Sequence, residues 1–200
     1  MDMKAFQKIS YGLYVITAKG EKGDNGFIGN AVMQLTENPN QVAVCINKTN
    51  YTTELICQSG EMNVCCLSTD APFSVIQRFG FQSGRDTDKF EGFPILRSEN
   101  GLAYPKENCC AYLSMKVCST ADLGSHLLFI CEVTDAKTLS DAQPMTYAYY
   151  HQKVKPQPQK AEKKSFVCTI CGYVYEGESL PEDYICPLCK HGAQFFKENN

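Results

Sequence analysis

No stretch of this chain approaches the roughly 18 consecutive apolar residues of a helical membrane span, so none is expected. The run from Met1 to Lys8 lacks an apolar signal core. A cytoplasmic chain with reduced thiols is the corresponding expectation. No Gly-x-Gly-x-x-Gly opens a helix after a strand, and no phosphate-loop lysine motif is present. A Rossmann domain is therefore excluded as the source of any nucleotide binding. Tryptophan is absent, so aromatic shielding falls to 11 tyrosines and 11 phenylalanines. Nor is there an internal repeat, apart from one doubled Cys-x-x-Cys.

A strong charge of either sign is also missing. The net charge is −3, unevenly spread over 200 residues. Residues 151–165 carry five lysines and one glutamate, whereas residues 166–200 carry two basic and five acidic groups. A four-cysteine ribbon that grips nucleic acid presents a basic face. Here Glu176, Glu178, Glu182 and Asp183 lie between the knuckles, so nucleic-acid binding is not expected.

What the chain does have is cysteine, 12 in all. Four of these form Cys168-x2-Cys171-x14-Cys186-x2-Cys189. Each pair makes a tight turn that aims two sulfurs at one point, and two turns complete a tetrahedral site. Soft thiolates in that arrangement select zinc or iron over magnesium or calcium. Two disulfides are the alternative, and they require an oxidising compartment. The other eight, at 45, 57, 65, 66, 109, 110, 118 and 131, sit mostly in apolar runs, where a free thiol behaves as a small hydrophobe.

Proline and lysine with little to bury mark residues 153–165 as a semi-rigid linker. It divides a body, residues 1–152, from a small metal domain, residues 166–200. A segment that short cannot build a sufficient core, so the metal supplies much of its folding energy. In the body, residues 11–18, 27–36, 41–47, 62–67, 111–118 and 127–136 read as strands. Residues 51–58 and 71–79 read as helices, the second capped by Asp70. Short strands with few helices indicate an antiparallel barrel or sandwich.

Three polar clusters stand out. Asn47-Lys-Thr-Asn-Tyr-Thr-Thr53 leads from a strand into a helix, a setting that suits a phosphate or simply caps the helix. The run from Phe81 to Phe90 reads equally as a solvated loop. His126 opens a strand, where a lone histidine is commonly structural.

Taken in order, the segment 1–14, Asn30-Ala-Val-Met-Gln-Leu-Thr36, Asn47–Thr52, the Ser-Gly-x-Asp-x-Asp-Lys-Phe run and Gly124-Ser-His126 resemble the flavin reductase-like proteins. These are FMN-binding split β-barrels that include an archaeal ferric reductase. The tail resembles a rubredoxin, with the short knuckle spacing of the rubrerythrin module and Lys190 in place of the usual glycine. The whole chain is similar to the fused flavin reductase–rubredoxin proteins called high-molecular-weight rubredoxins. The fold this implies is mainly β: a split barrel with a few helices, followed by a small rubredoxin-like domain. The resemblance places the FMN phosphate at Lys48, Asn50 and Thr52. It places the ring against Asn30, Ala31 and Val32 with Asn47 at its polar edge. Ser83, Gly84 and Lys89 complete the pocket, often at a homodimer interface, and His126 lies beside the nicotinamide. Cys168, Cys171, Cys186 and Cys189 hold one iron, shielded by Phe166, Tyr173, Tyr175 and Phe195.

The implied function is electron transfer from NADH or NADPH through FMN and iron to a redox partner of the flavodiiron type. A flavin or ferric reductase, a zinc ribbon that recruits partners and a flavin-storage protein are the alternatives.

Overall fold

The computed structural model describes residues 1–156 and 164–199. Side-chain alternation organises the body. In β1 (Tyr14–Gly20) and β5 (Glu61–Leu67) buried residues run consecutively, because both faces are covered. Val15, Cys65 and Leu67 join one core. Ile16, Ala18, Met62 and Val64 join the other, as a two-residue period requires.

Five further strands complete the sheet: β2 (Gly23–Gly29), β3 (Val32–Glu37), β4 (Asn40–Asn47), β8 (Cys109–Asp122) and β9 (His126–Thr138). The order is β2-β1-β5-β8-β9-β4-β3, with antiparallel neighbours throughout. The two edge strands, β2 and β3, are joined only by Asn30 and Ala31. Three peptide steps reach about 11 Å, so the sheet must curl until its edges almost meet. That is the split barrel, and Val44, Ile46, Met115 and Phe129 fill its interior. The apolar run 27–36 is thus two strands with a corner at Asn30–Ala31.

Helix α1 (Tyr51–Ser59) starts where Asn50 accepts a hydrogen bond from the Thr52 amide, and it ends at Gly60. It sends Leu55 and Ile56 into the barrel core. Helix α2 (Phe73–Gly80) buries Val75, Ile76 and Phe79, one stripe of a 3.6-residue period, in the other core. The helix begins two residues later than the sequence reading, with Pro72 at the cap and no side-chain bond there. Proline presets the helical φ and needs no donor partner, so Asp70 is not the cap.

Elements too short to read from pattern are the hairpin β6 (Ile95–Arg97) with β7 (Ala103–Pro105), and α3 (Tyr147–Tyr149), capped by Thr146. A π-helical turn, Tyr150–Val154, continues α3 into residues 153 and 154, which the sequence reading gave to the linker. Ser165, at the linker's other end, is fully buried and opens β10 (Ser165–Cys168). Residues 157–163 lie outside the described residues. Strand β10 sits between β11 (Val174–Glu176) and β12 (Phe196–Asn199). Among the described residues, no helix is long and apolar enough to cross a membrane.

Phe129 is 1% exposed at the centre of the barrel core. Phe129→Ala is expected to cost about 3–5 kcal/mol, read as a lowered urea midpoint of the far-ultraviolet transition.

Candidate functional site

The four tail cysteines converge. Their sulfurs lie within 4.8 Å of one another and each residue is at most 2% exposed. Cys168 and Cys189 Sγ are 3.6 Å apart, and Cys171 and Cys186 Sγ 3.5 Å. A tetrahedron with metal–sulfur bonds of about 2.3 Å has edges near 3.8 Å, so a small correction of the turns accommodates an ion. Backbone amides face the sulfurs as well: those of Ile170 and Cys171 serve Cys168, Tyr173 serves Cys171 and His191 serves Cys189. Amide donors stabilise thiolate charge and tune a bound metal. The donor set fits one iron.

The two knuckles share a backbone but differ in crowding. Gly172 donates its amide to the Cys168 carbonyl, and Lys190 does the same to Cys186, at 2.8 and 2.9 Å. Both are left-handed, with φ of 84° and 61°. At Gly172 a Cβ would stand 2.5 Å from the Pro156 carbonyl oxygen. Lys190 instead is exposed, so a side chain is carried there at the strain cost alone. Phe166, Tyr173 and Tyr175 pack against the cysteines as expected, but Phe196 does so in place of Phe195. Phe195 stands edge-on to His191, 4.9 Å between ring centres.

A cavity of about 510 Å³ opens in the body, the size of a small-ligand site. Phe27 and Ile28 of β2, the turn Thr49–Tyr51, and residues 79–84 with Lys89 line it. Ile170 and His191, one from each knuckle, complete the lining. A polar chamber of about 280 Å³ adjoins it past Tyr51 and Gly84, with Lys22, Asp24 and Arg85 on its walls.

The loop after α2 is tied down on both sides. A Cβ on Gly84 would fall 1.8 Å from Asn25 Nδ2, so any side chain there must displace the buried Asn25 amide. Asn25 is buried and accepts from the Gly26 amide and the Thr52 hydroxyl. Arg85 pairs with Glu54 and lies over the Tyr51 ring, 4.9 Å from its centre. Lys89, 5% exposed, donates to the carbonyls of Gly26 and Phe79 at 2.8 and 3.1 Å. No carboxylate pairs with it among the described residues, and burial pulls its pKa down to about 8.

The structure divides the expected site residues into two groups. Asn50, Ser83, Gly84 and Lys89 line the cavity. Asn47 and His126 face each other across β4 and β9, beside Lys48, whose ammonium is 2.6 Å from Asp122. Ala31 belongs with this second group through its carbonyl, which accepts from the Cys45 amide. Val32 pairs with Val44, and Asn30 forms the corner. Thr52 is buried and its hydroxyl donates to Asn25 Oδ1. Sequence reasoning missed Tyr51, Phe81, Ile170 and His191 as cavity residues. Tyr51 and Phe81 lie within clusters it did select, though not among the residues chosen from them, whereas nothing local marks the last two. The covered body thiols behave as small hydrophobes, whereas Cys57 and Cys118 are exposed: burial pushes Cys66 up to about 11 and Cys131 up to about 12.

Comparison with known proteins finds two families along the chain. The flavin reductase like domain family matches residues 6–157, and the rubrerythrin, rubredoxin-like domain matches residues 166–197. The high molecular weight rubredoxin of Moorella thermoacetica is 40% identical, covering 99% of this chain and 100% of that protein. The ferric-chelate reductase (NAD(P)H) of Archaeoglobus fulgidus is 40% identical over 76% of this chain and 89% of its own. The fold is shared with the FMN-binding protein of Thermus thermophilus, at a TM-score of 0.62 and 16% identity, covering 88% of this chain and 86% of that one.

The unequal knuckles lead to opposite outcomes. Lys190→Gly relieves a left-handed non-glycine residue and should stabilise the metal domain by about 1 kcal/mol. Gly172→Ala adds both strain and a clash, and should destabilise it by roughly 2 kcal/mol. Chelator-driven metal release at increasing guanidinium concentration reads both.

Proposed function

This chain belongs to the flavin reductase like domain family and ends in a rubredoxin-like domain, and from that premise we propose that it is an NAD(P)H-oxidising electron-transfer protein. Its electrons leave through the four-cysteine iron to a protein acceptor, for which a flavodiiron enzyme is our proposal. The single observation that carries this reading is a cavity lined by residues of both domains. FMN, when bound, accepts a hydride as two electrons and gives them up singly, whereas a four-thiolate iron passes one at a time between ferric and ferrous.

The protein's own contribution is binding and orientation. Asn50, Ser83, Gly84 and Lys89 hold the flavin in this reading, with the Lys89 ammonium as the positive charge beside it. Lys48 and the start of α1 take the phosphate. The Lys48–Asp122 pair is exposed on both sides, and such pairs contribute about 0–1 kcal/mol, so the ammonium can turn to a phosphate at small cost. Asn30, Ala31 and Val32 bound the ring with Asn47 at its polar edge, and His126 lies beside the bound nicotinamide. A homodimer belongs to the same reading: Met33 and Leu35 on edge strand β3 are 62% and 40% exposed.

Direct reduction of a ferric chelate by the body is the second reading, favoured by the 40% identity to the Archaeoglobus fulgidus protein. Metal exchange separates the two. Anaerobic titration of the iron-loaded chain with NADH should bleach the flavin band and then the ferric-thiolate band. The zinc-loaded chain should keep dye reduction and lose delivery to a protein acceptor. Undiminished delivery by the zinc form would leave the chelate reductase.

Lys89 imposes a pH dependence. An anion beside it favours the ammonium and raises its pKa above 8, so binding takes up a proton only above that pH. FMN affinity should be flat below about pH 8 and fall by up to about tenfold per unit above it. Lys89→Met should bind more weakly with no such slope, as read by flavin fluorescence quenching.

A further inference from the structure

The metal domain is fastened to the body at one definite place. Gln77, on α2, donates a 2.8 Å hydrogen bond from Nε2 to the carbonyl of Leu188, inside the second knuckle. Phe73 and Phe81, at either end of α2, pack both into the body core and against the cysteine cluster. Their ring centres are 5.8 Å apart. The Pro156 carbonyl closes on Gly172 of the first knuckle. The seat therefore consists of one polar latch, two aromatic rings and a backbone abutment.

The seat has a consequence for the cavity. Ile170 lies between Cys168 and Cys171, and His191 follows Cys189 by two residues, with Nδ1 3.0 Å from the Cys189 carbonyl oxygen. Both residues line the cavity, so each knuckle presents a residue adjacent to its sulfur ligands to the space the proposed flavin would occupy. The same two residues form the metal domain's share of the cavity wall. A space of about 510 Å³ suits one ligand, and hydride transfer requires a nicotinamide ring within about 3.5 Å of its acceptor.

We infer that this is a closed state in which Gln77 is a positioning residue: it holds the metal domain over the flavin cavity, so that iron reduction and nicotinamide entry exclude one another in time. The inference rests on the relay proposed above. The latch controls the balance between closed and open arrangements, and weakening it helps one half of the cycle while harming the other. A purely structural role for Gln77 would not produce opposite effects.

Gln77→Leu keeps the size of the side chain and removes the donor. In the zinc-loaded full-length chain, hydrogen exchange should quicken in α2 and in residues 186–191. In the iron-loaded chain under anaerobic stopped flow, flavin bleaching by limiting NADH should speed up by about fivefold, the worth of one neutral hydrogen bond. The later loss of the ferric-thiolate band should slow by about the same factor. Phe73→Leu, which keeps an apolar contact on the body, should shift both rates the same way. Unchanged exchange in the zinc form overturns the docking, and two rates that fall together overturn the exclusion. If the wild-type iron is never reduced, the relay reading fails, while the exchange measurement still judges the docking independently.

Discussion

The two-residue corner Asn30–Ala31 is the constraint from which the body follows. It joins strands at opposite edges of a seven-stranded sheet, and so short a connection leaves the sheet no choice but to curl. Curling encloses one face of β1 and β5 as a barrel core, while the outer face still carries Val15, Cys65 and Leu67, which need covering. Helix α2 and the segment after it supply that cover. The cavity forms where this second layer meets β2 and the start of α1, so the site lies at the junction of two cores.

Helix α2 then serves three purposes with different faces. Val75, Ile76 and Phe79 anchor it in the core. The Phe79 carbonyl receives the buried Lys89 ammonium. Gln77 and the flanking rings of Phe73 and Phe81 receive the metal domain. Eight residues thus connect barrel packing, cavity charge and domain seating. This economy explains how an acidic, poorly cored tail finds a defined place on the body without a large interface.

Much of this was legible in the residues. The doubled Cys-x-x-Cys announced its own geometry, because the spacing alone dictates where the sulfurs point. Strands such as 41–47 and 62–67 declared themselves through β-branched and apolar runs. The cavity was legible only in part. Asn50, Ser83, Gly84 and Lys89 were recognised through a resemblance, and polarity alone had left their clusters as caps or solvated loops. Ile170 and His191 were not legible at all: their role comes from the docking of one domain on another, and no local pattern encodes a contact across more than a hundred residues. The Asp70 cap failed because Pro72 starts a helix without any side-chain acceptor. Phe196 was passed over for its neighbour because Phe195 closes a 3-10 turn, Ala193–Phe195, while Phe196 opens β12, and no local pattern marks that boundary.

The unequal turns around Gly172 and Lys190 bear on how such domains are recognised. The glycine that follows a Cys-x-x-Cys pair answers a left-handed backbone and, at Gly172, crowding as well, and at Lys190 the strain alone is tolerated. A search pattern that insists on glycine after both pairs would discard sound members of the group. Where the second turn faces open solvent, that position can carry lysine or another long polar residue for the cost of a left-handed backbone alone, without a clash.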